Sequence, residues 1–236
     1  VQVILGGYSL ACLFSLWSAF KSNTFSGIAG SDETAKFPNW PVTPWPDAYS
    51  EIYHYQWEKK LIPYWKDLAE FAKEQDVKIA IELHAGFLVH TPYTLLKLRE
   101  ATNEFIGANL DPSHLWWQGI DPIAAIRILG KENAIHHFHA KDTYINQENV
   151  NMYGLTDMQP YGSIETRAWT FRTVGYGHSV YVWGDIISQL IINGYDYVLS
   201  IEHEDPIMSI DEGFQKACQT LKSVNIYDKP ADMWWA

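Results

Sequence analysis

The chain is short of cysteine and of positive charge. Only Cys12 and Cys218 occur in 236 residues, so neither a close-spaced zinc ribbon nor a disulfide-stapled scaffold is available, and a reducing, cytoplasmic setting is the simpler one. The 17 Lys and Arg are outnumbered by 28 Asp and Glu, for a formal net charge of -11. With no basic run, the chain has no footing for duplex phosphates, which excludes a nucleic-acid partner and favours a neutral or cationic small molecule. Low-complexity tracts are also missing, and 47% of the residues are hydrophobic, enough to bury a sizeable core in one globular domain. Charge is absent altogether from residues 1–20. A signal peptide would need a basic stretch ahead of its apolar run, and Gly6, Gly7 and several Ser and Gln dilute any span. Neither export nor a membrane partner is therefore expected, and a buried segment is the plainer reading.

What the chain does have is metal-ligand side chains in four places, each at the end of a β-prone run. They are Ile-Ala-Ile-Glu82-Leu-His84, Asn-Leu-Asp111-Pro-Ser-His114, His137-Phe-His139-Ala-Lys141-Asp142 and Leu-Ser-Ile-Glu202-His203-Glu204. Glu82 and Asp111 are 29 residues apart, and Asp111 and His139 are 28 apart. Roughly 31 residues per strand-helix unit is the spacing of an eight-unit βα barrel, whose working face lies at the C-terminal strand ends.

The rhythm between these ends is βα. Apolar residues from Ile52 to Phe71 recur at helical spacing and predict a helix over about 51–75, with a break at Pro63. Strands follow at Val77–Leu83, Phe105–Leu110, Ala134–Ala140 and Tyr197–Ile201, preceded by a short one at Asn23–Ser26. Thr91-Pro92 and Asp121-Pro122 start helices, the second closed by Gly130, and Val182–Ile192 and Asp211–Val224 supply two more, with a Ser209/Glu212 capping box on the last. Between about 140 and 179 the chain reads as a long irregular segment of the kind that forms lids. Five strands are fewer than a closed barrel needs. The expected architecture is an α/β, TIM (β/α)8-type barrel that is N-terminally incomplete. It divides into an atypical segment 1–22, the C-terminal part of one barrel domain over 23–226, and a tail 227–236.

Residues i and i+2 of a strand share a face, so Glu82 with His84, and His137 with His139, each point a pair inward. Glu82, Asp111, His139 and Glu202 are assigned as metal ligands. Carboxylates with one imidazole suit a single divalent ion such as Mn²⁺, Co²⁺, Mg²⁺, Fe²⁺ or Zn²⁺. Taken singly, each of these residues is more often a cap or a hydrogen-bonded core group; four in register change that balance. His84, His114, His137, Lys141 and Glu204 are candidates for substrate contact beside the ligands. Lys141 would steady an oxyanion or phosphate, unless it is spent in an ion pair with Asp142 or another neighbour. Trp116-Trp117 offers a stacking surface for a sugar ring, whereas Trp57 and Trp65 read as core. Arg167, Arg172 and His178 sit on the long segment, where they could reach over the site.

Together these stretches, with Phe171-Arg172-Thr-Val-Gly-Tyr-Gly-His178 and Ile-Glu202-His-Glu204-Asp205, resemble the xylose isomerase-like TIM-barrel sugar phosphate isomerases and epimerases. The resemblance runs from about Phe25 to Leu221. It implies that the strands present are about strands 4–8 of the barrel and that the last four deliver a Glu, Asp, His, Glu ligand set, with the second His of His-x-His as the ligand and Mn²⁺ as the first choice of ion. It further implies that Glu82 and Glu202 are the catalytic acid-base pair, moving a proton next to a carbonyl through a metal-stabilised enediolate of a keto-sugar. Return of the proton gives epimerisation or isomerisation. Loss of a β-substituent gives elimination, as in the C-glycoside deglycosidase-like branch to which the Asp-Pro-Ser-His and Phe-Arg-Thr-Val-Gly stretches look closest. Two other readings compete. A DNA-repair endonuclease on the same barrel would need a cationic groove. An inactive metal-binding half-barrel would pair with a second copy or a partner subunit.

Overall fold

The computed structural model describes residues 2–4, 30–228 and 232. In chain order, β1 (Gln2–Ile4) is followed by α1 (Asp47–Tyr55), a π-helical stretch (Gln56–Leu61), α2 (Ile62–Glu74), β2 (Ile79–Glu82), α3 (Pro92–Ala101), β3 (Ile106–Leu110), α4 (Pro112–Trp116) and α5 (Pro122–Lys131). Then come β4 (Ile135–Ala140), β5 (Asp142–Ile145), α6 (Gln147–Tyr153), β6 (Trp169–Arg172), α7 (Val180–Ile192), β7 (Val198–Ile201) and α8 (Ile210–Val224). Five strands pair in the order β1-β7-β4-β3-β2, every neighbour parallel. Helices alternate with the parallel strands and cover them through Leu95, Leu98, Ile126, Leu129, Trp183 and Leu221, which join one core with Trp57 and Trp65. Among the described residues this is a partial (β/α) barrel, as expected. The predicted strand Asn23–Ser26 lies outside the described residues, and no described helix is long and apolar enough to cross a membrane.

Local chemistry explains most of the element ends. Thr91 accepts from the Thr94 amide as the cap of α3, Asp121 from the Ile123 amide for α5, and Ser209 from the Glu212 amide for α8. The reciprocal half of the expected box at α8 is not made, because the Glu212 carboxylate pairs with Lys216 at 2.6 Å instead. The break expected at Pro63 takes the form of the π-helical stretch directly ahead of it. A proline cannot donate to the carbonyl one turn back, and a wider turn absorbs the mismatch. Gly130 does not close α5, which runs on to Lys131. Its missing side chain is needed for another reason: a Cβ there would stand 2.5 Å from Cβ of Asn193, just past α7.

The segment between β4 and α7 differs most from expectation. It is irregular only in part: β5 and β6 pair antiparallel, with Asp142 opposite Arg172 and Ile145 opposite Trp169, and α6 lies between them, while residues 154–168 carry neither helix nor strand. β5 starts two residues after β4 ends, so Lys141 stands alone at the corner between the two sheets. A second small core of Ala85, Trp117, Ala168, Trp169 and Phe171 fills the angle.

Candidate metal centre

Register puts the site residues in rows. Glu82 of β2 stands beside Asn109 of β3, and Asn109 beside His137 of β4. Between Ala108 and Asn109 the pairing slips, with Ala108 opposite Ile135 but Asn109 opposite His137, so His136 is an extra residue on β4. Without that bulge His136 would face Asn109, and the period-2 alternation would send His137 and His139 to the helix-covered side. The bulged His136 is buried, and its ring occupies the space above Gly107, where a Cβ would come within 2.4 Å of Nδ1. Its Nδ1 lies 3.1 Å from the Ile79 carbonyl of β2.

Beyond the strands, Asp111 caps α4 by accepting from the Ser113 amide at 2.8 Å. His114 is thus on a short helix rather than at the start of a loop. Glu82, Asp111, His139 and Glu202 each offer one ligand atom, and all four atoms lie within 4.8 Å of one another. His139 Nδ1 is 2.9 Å from Glu82 Oε1 and 3.0 Å from Glu202 Oε2. Lys141, 1% exposed, places Nζ 3.2 Å from Asp111 Oδ2, 3.1 Å from Glu202 Oε2 and 3.7 Å from Glu204 Oε2, and 3.3 Å from His114 Nε2. Despite these distances, Asp111 Oδ2 and Glu202 Oε2 make no hydrogen bond of good geometry, although both are buried. Three carboxylates, one imidazole and two buried oxygens without a directional partner form a donor set that fits one divalent cation.

The electrostatics follow from that crowding. Burial raises Asp111 to about 7, against the pull of Lys141, with Glu202 and Glu82 adding to the rise. Burial would raise Glu202 too, but close contact with His139 and the Lys141 and His139 charges outweigh it and hold Glu202 at about 2. For His139, burial works against the charged form and is overcome by its close contacts with the Glu202 and Glu82 carboxylates, so it rises to about 10. Lys141 is raised as well: burial opposes the charge, and Asp111 and Glu202 more than restore it. Burial, then the Lys141 charge, push His114 well below the usual histidine range, and burial with the His139 charge takes His137 down to about 4.

The other predicted residues divide into two groups. His84 stacks near His114, with ring centroids 4.1 Å apart, and His137 meets His139 edge-on at 5.4 Å, so both border the cluster. Trp116, Arg172 and His178 are occupied elsewhere. Trp116 stacks on His178 at 3.8 Å, while Trp117 stacks on Trp169 at 4.6 Å. The Asp205 carboxylate accepts from Arg172 Nε at 3.1 Å and from the Thr173 amide at 2.8 Å. Asp142 does not pair with Lys141. It accepts from the amides of Gly175, Gly177 and His178, from Trp183 Nε1, and faces His178 Nδ1 at 2.8 Å. Two carboxylates, each three residues past a proposed ligand, thus pin the turn from Arg172 to His178. Arg167 is no lid cation either. It is buried, donates to the Gln159 and Trp169 carbonyls, and lies over the Tyr161 and Trp169 rings.

Sequence reasoning missed Asn109, whose buried amide nitrogen is 3.1 Å from His139 Nδ1 and 3.4 Å from Glu82 Oε1. Its position two residues before Asp111, on the same strand face, was the available signal. Also missed was the contact role of Phe171, whose ring lies 4.7 Å from Lys141 Nζ and 5.3 Å from the His114 ring.

The sequence profile of the Xylose isomerase-like TIM barrel family matches residues 32–224. The chain belongs to that family. Within curated proteins it is 40% identical over 200 residues to the uncharacterized protein YfiH of Bacillus subtilis, a match that covers 84% of this chain and 63% of YfiH. It is 30% identical over 151 residues to inosose dehydratase of Clostridium tetani, covering 60% of this chain and 48% of that protein. The chain therefore spans between about half and two thirds of the length of these relatives. Among solved structures, a xylose isomerase domain protein from Planctomyces limnophilus superposes with a TM-score of 0.54 at 20% identity, over 79% of this chain and 57% of that one. A D-tagatose 3-epimerase-like protein gives 0.52 at 21% identity, over 79% and 59%. At such identities these two likenesses speak for the family's fold alone.

Proposed function

We propose that this chain carries the site of a divalent-metal-dependent sugar-modifying enzyme that moves a proton on the carbon next to a carbonyl. The observation that carries the reading is the convergence of Glu82, Asp111, His139 and Glu202 from four parallel strands. A bound ion would supply Lewis-acid polarisation of the substrate carbonyl. The residues do the rest. Glu82 and Glu202 flank His139 from opposite sides and serve as the acid-base pair. Lys141 and neutral His114 offer a charge and a hydrogen-bonding group to neighbouring sugar oxygens, and His84, His137 and Glu204 line the rim. Asp205 holds Arg172, and Asp142 holds His178 against Trp116, which makes these three positioning residues.

If the proton returns to carbon, the outcome is epimerisation or isomerisation of a keto-sugar. A second reading, elimination, is favoured by the named Clostridium relative, an inosose dehydratase, and accommodates the deglycosidase-like branch acting on 3-keto glycosides. Both readings begin with the same proton abstraction.

The test has two parts. Metal analysis of the purified chain should find about one Mn, Co, Fe or Zn per molecule, absent from Asp111→Ala. Keto-sugars and inososes incubated in D₂O should then take up deuterium beside the carbonyl, or lose water, with wild type and not with Glu202→Gln. Equal trace metal in both proteins, with no solvent exchange on any substrate, would leave an inactive half-barrel as the better description.

A further inference from the structure

Lys141 is the least expected occupant of the centre. Its ammonium is buried among Asp111, Glu202, Glu204 and His114, at the one residue between two sheets, and lies against the Phe171 ring. Two facts define its role. First, Asp111 Oδ2 and Glu202 Oε2, the oxygens nearest Nζ, belong to two of the four proposed metal ligands and have no hydrogen bond of good geometry to Lys141 or to anything else. The ammonium holds them by charge rather than by directed bonds. Second, no other Lys or Arg among the described residues pairs with any of the four ligands; the remaining ion pairs to them come from His114 and His139.

We propose that Lys141 is a built-in counter-cation that competes with the divalent ion for Asp111 and Glu202. Resting on the metal reading above, the proposal adds a consequence: affinity is deliberately moderate, because an ion entering the pocket meets a resident positive charge only a carboxylate away. The same charge keeps three convergent carboxylates folded together while no ion is bound. When the ion takes Asp111 Oδ2 and Glu202 Oε2, Lys141 keeps His114, Glu204 and the Phe171 face as partners, and its ammonium turns from ligand balance to a substrate oxygen.

The experiment uses Mn²⁺ alone as the probe, titrated calorimetrically into the metal-free protein at fixed pH and salt. Lys141→Met should bind Mn²⁺ at least tenfold more tightly than wild type, while Lys141→Arg, which keeps the charge, should show no such gain. A Met variant that folds only when Mn²⁺ is supplied counts as the same result, since the ion then replaces the missing charge. Should it fold under neither condition, Lys141→Gln makes the same comparison with a neutral donor. Affinity unchanged or weakened in the neutral variants would overturn the proposal, because Lys141 would then be arranging the ligands rather than opposing the ion. If neither wild type nor the neutral variants bind Mn²⁺ or Zn²⁺, the metal reading itself falls and the competition with it.

Discussion

His139 carries the chemistry of the centre in a single proton. Without an ion, its Nδ1 proton sits between Glu82 Oε1 and Glu202 Oε2, at 2.9 and 3.0 Å, and the two carboxylates outweigh burial to raise the ring to about 10. A cation bound at Nδ1 must displace that proton, so uptake of metal and loss of the proton are one event. Below pH 10 the protonated ring dominates. Affinity should accordingly climb with pH, more than tenfold per unit below about pH 7, where Asp111 also carries a proton, about tenfold per unit between about pH 8 and 9, and flatten near 10. Calorimetry at about pH 8.5, where Asp111 is already ionised, in buffers of different ionisation enthalpy should report about one proton released per Mn²⁺. A pH-independent affinity with no proton released would mean that His139 is not a ligand. His114, on the short helix that follows the neighbouring strand β3, is kept neutral by burial and by Lys141 and adds no proton to that count.

At the scale of the element, the bulge on β4 decides which histidines reach the centre. His136 is the inserted residue. Its ring lies over Gly107 and against the Ile79 carbonyl, and burial lowers it to about 4. In the unfolded chain it titrates near 6.5. Its contribution to stability is therefore complete above about pH 6.5 and is lost as the pH falls from there to about 4, where the folded form also takes up the proton. The full loss is on the order of 3 kcal/mol. Urea unfolding in EDTA of wild type and His136→Gln should show a stability difference that shrinks toward acid across that window; a constant difference would mean that the imidazole takes up its proton equally readily in the folded and unfolded chains. The bulge also marks the limit of what the sequence could tell. Alternation along His137-Phe-His139 revealed the inward pair, and Thr91-Pro92 and Asp121-Pro122 revealed helix starts, because both are local rules of steric and hydrogen-bond geometry. The extra residue at His136 was not legible, since register depends on the partner strand. Nor was the β5/β6 pair, although Asp-Thr-Tyr-Ile and Trp-Thr-Phe-Arg are rich in β-prone residues; 23 intervening residues hid their pairing. The stacking partner of Trp116 and the carboxylate that holds Arg172 were likewise contacts between distant segments.

Over the whole molecule, the four ligands tie together strands β2, β3, β4 and β7, from Glu82 to Glu202 in the chain. An ion held by all four exists only when that part of the parallel sheet is assembled, so its binding energy becomes folding energy. At a free concentration a hundred times its dissociation constant, the gain is about 2.7 kcal/mol, which for a domain of this size moves the melting temperature by about 5–10 °C. Wild type should melt higher in Mn²⁺ than in EDTA by that amount, and Asp111→Ala should melt at the same temperature in both. Glu204→Gln is the informative control, because Glu204 borders Lys141 but is not among the four ligands, and it should keep most of the shift. If all three proteins respond alike, the ion is binding to scattered surface carboxylates. If only wild type and Glu204→Gln respond, the strand ends act as one centre, and the sheet that positions them is stabilised by the group it was built to hold.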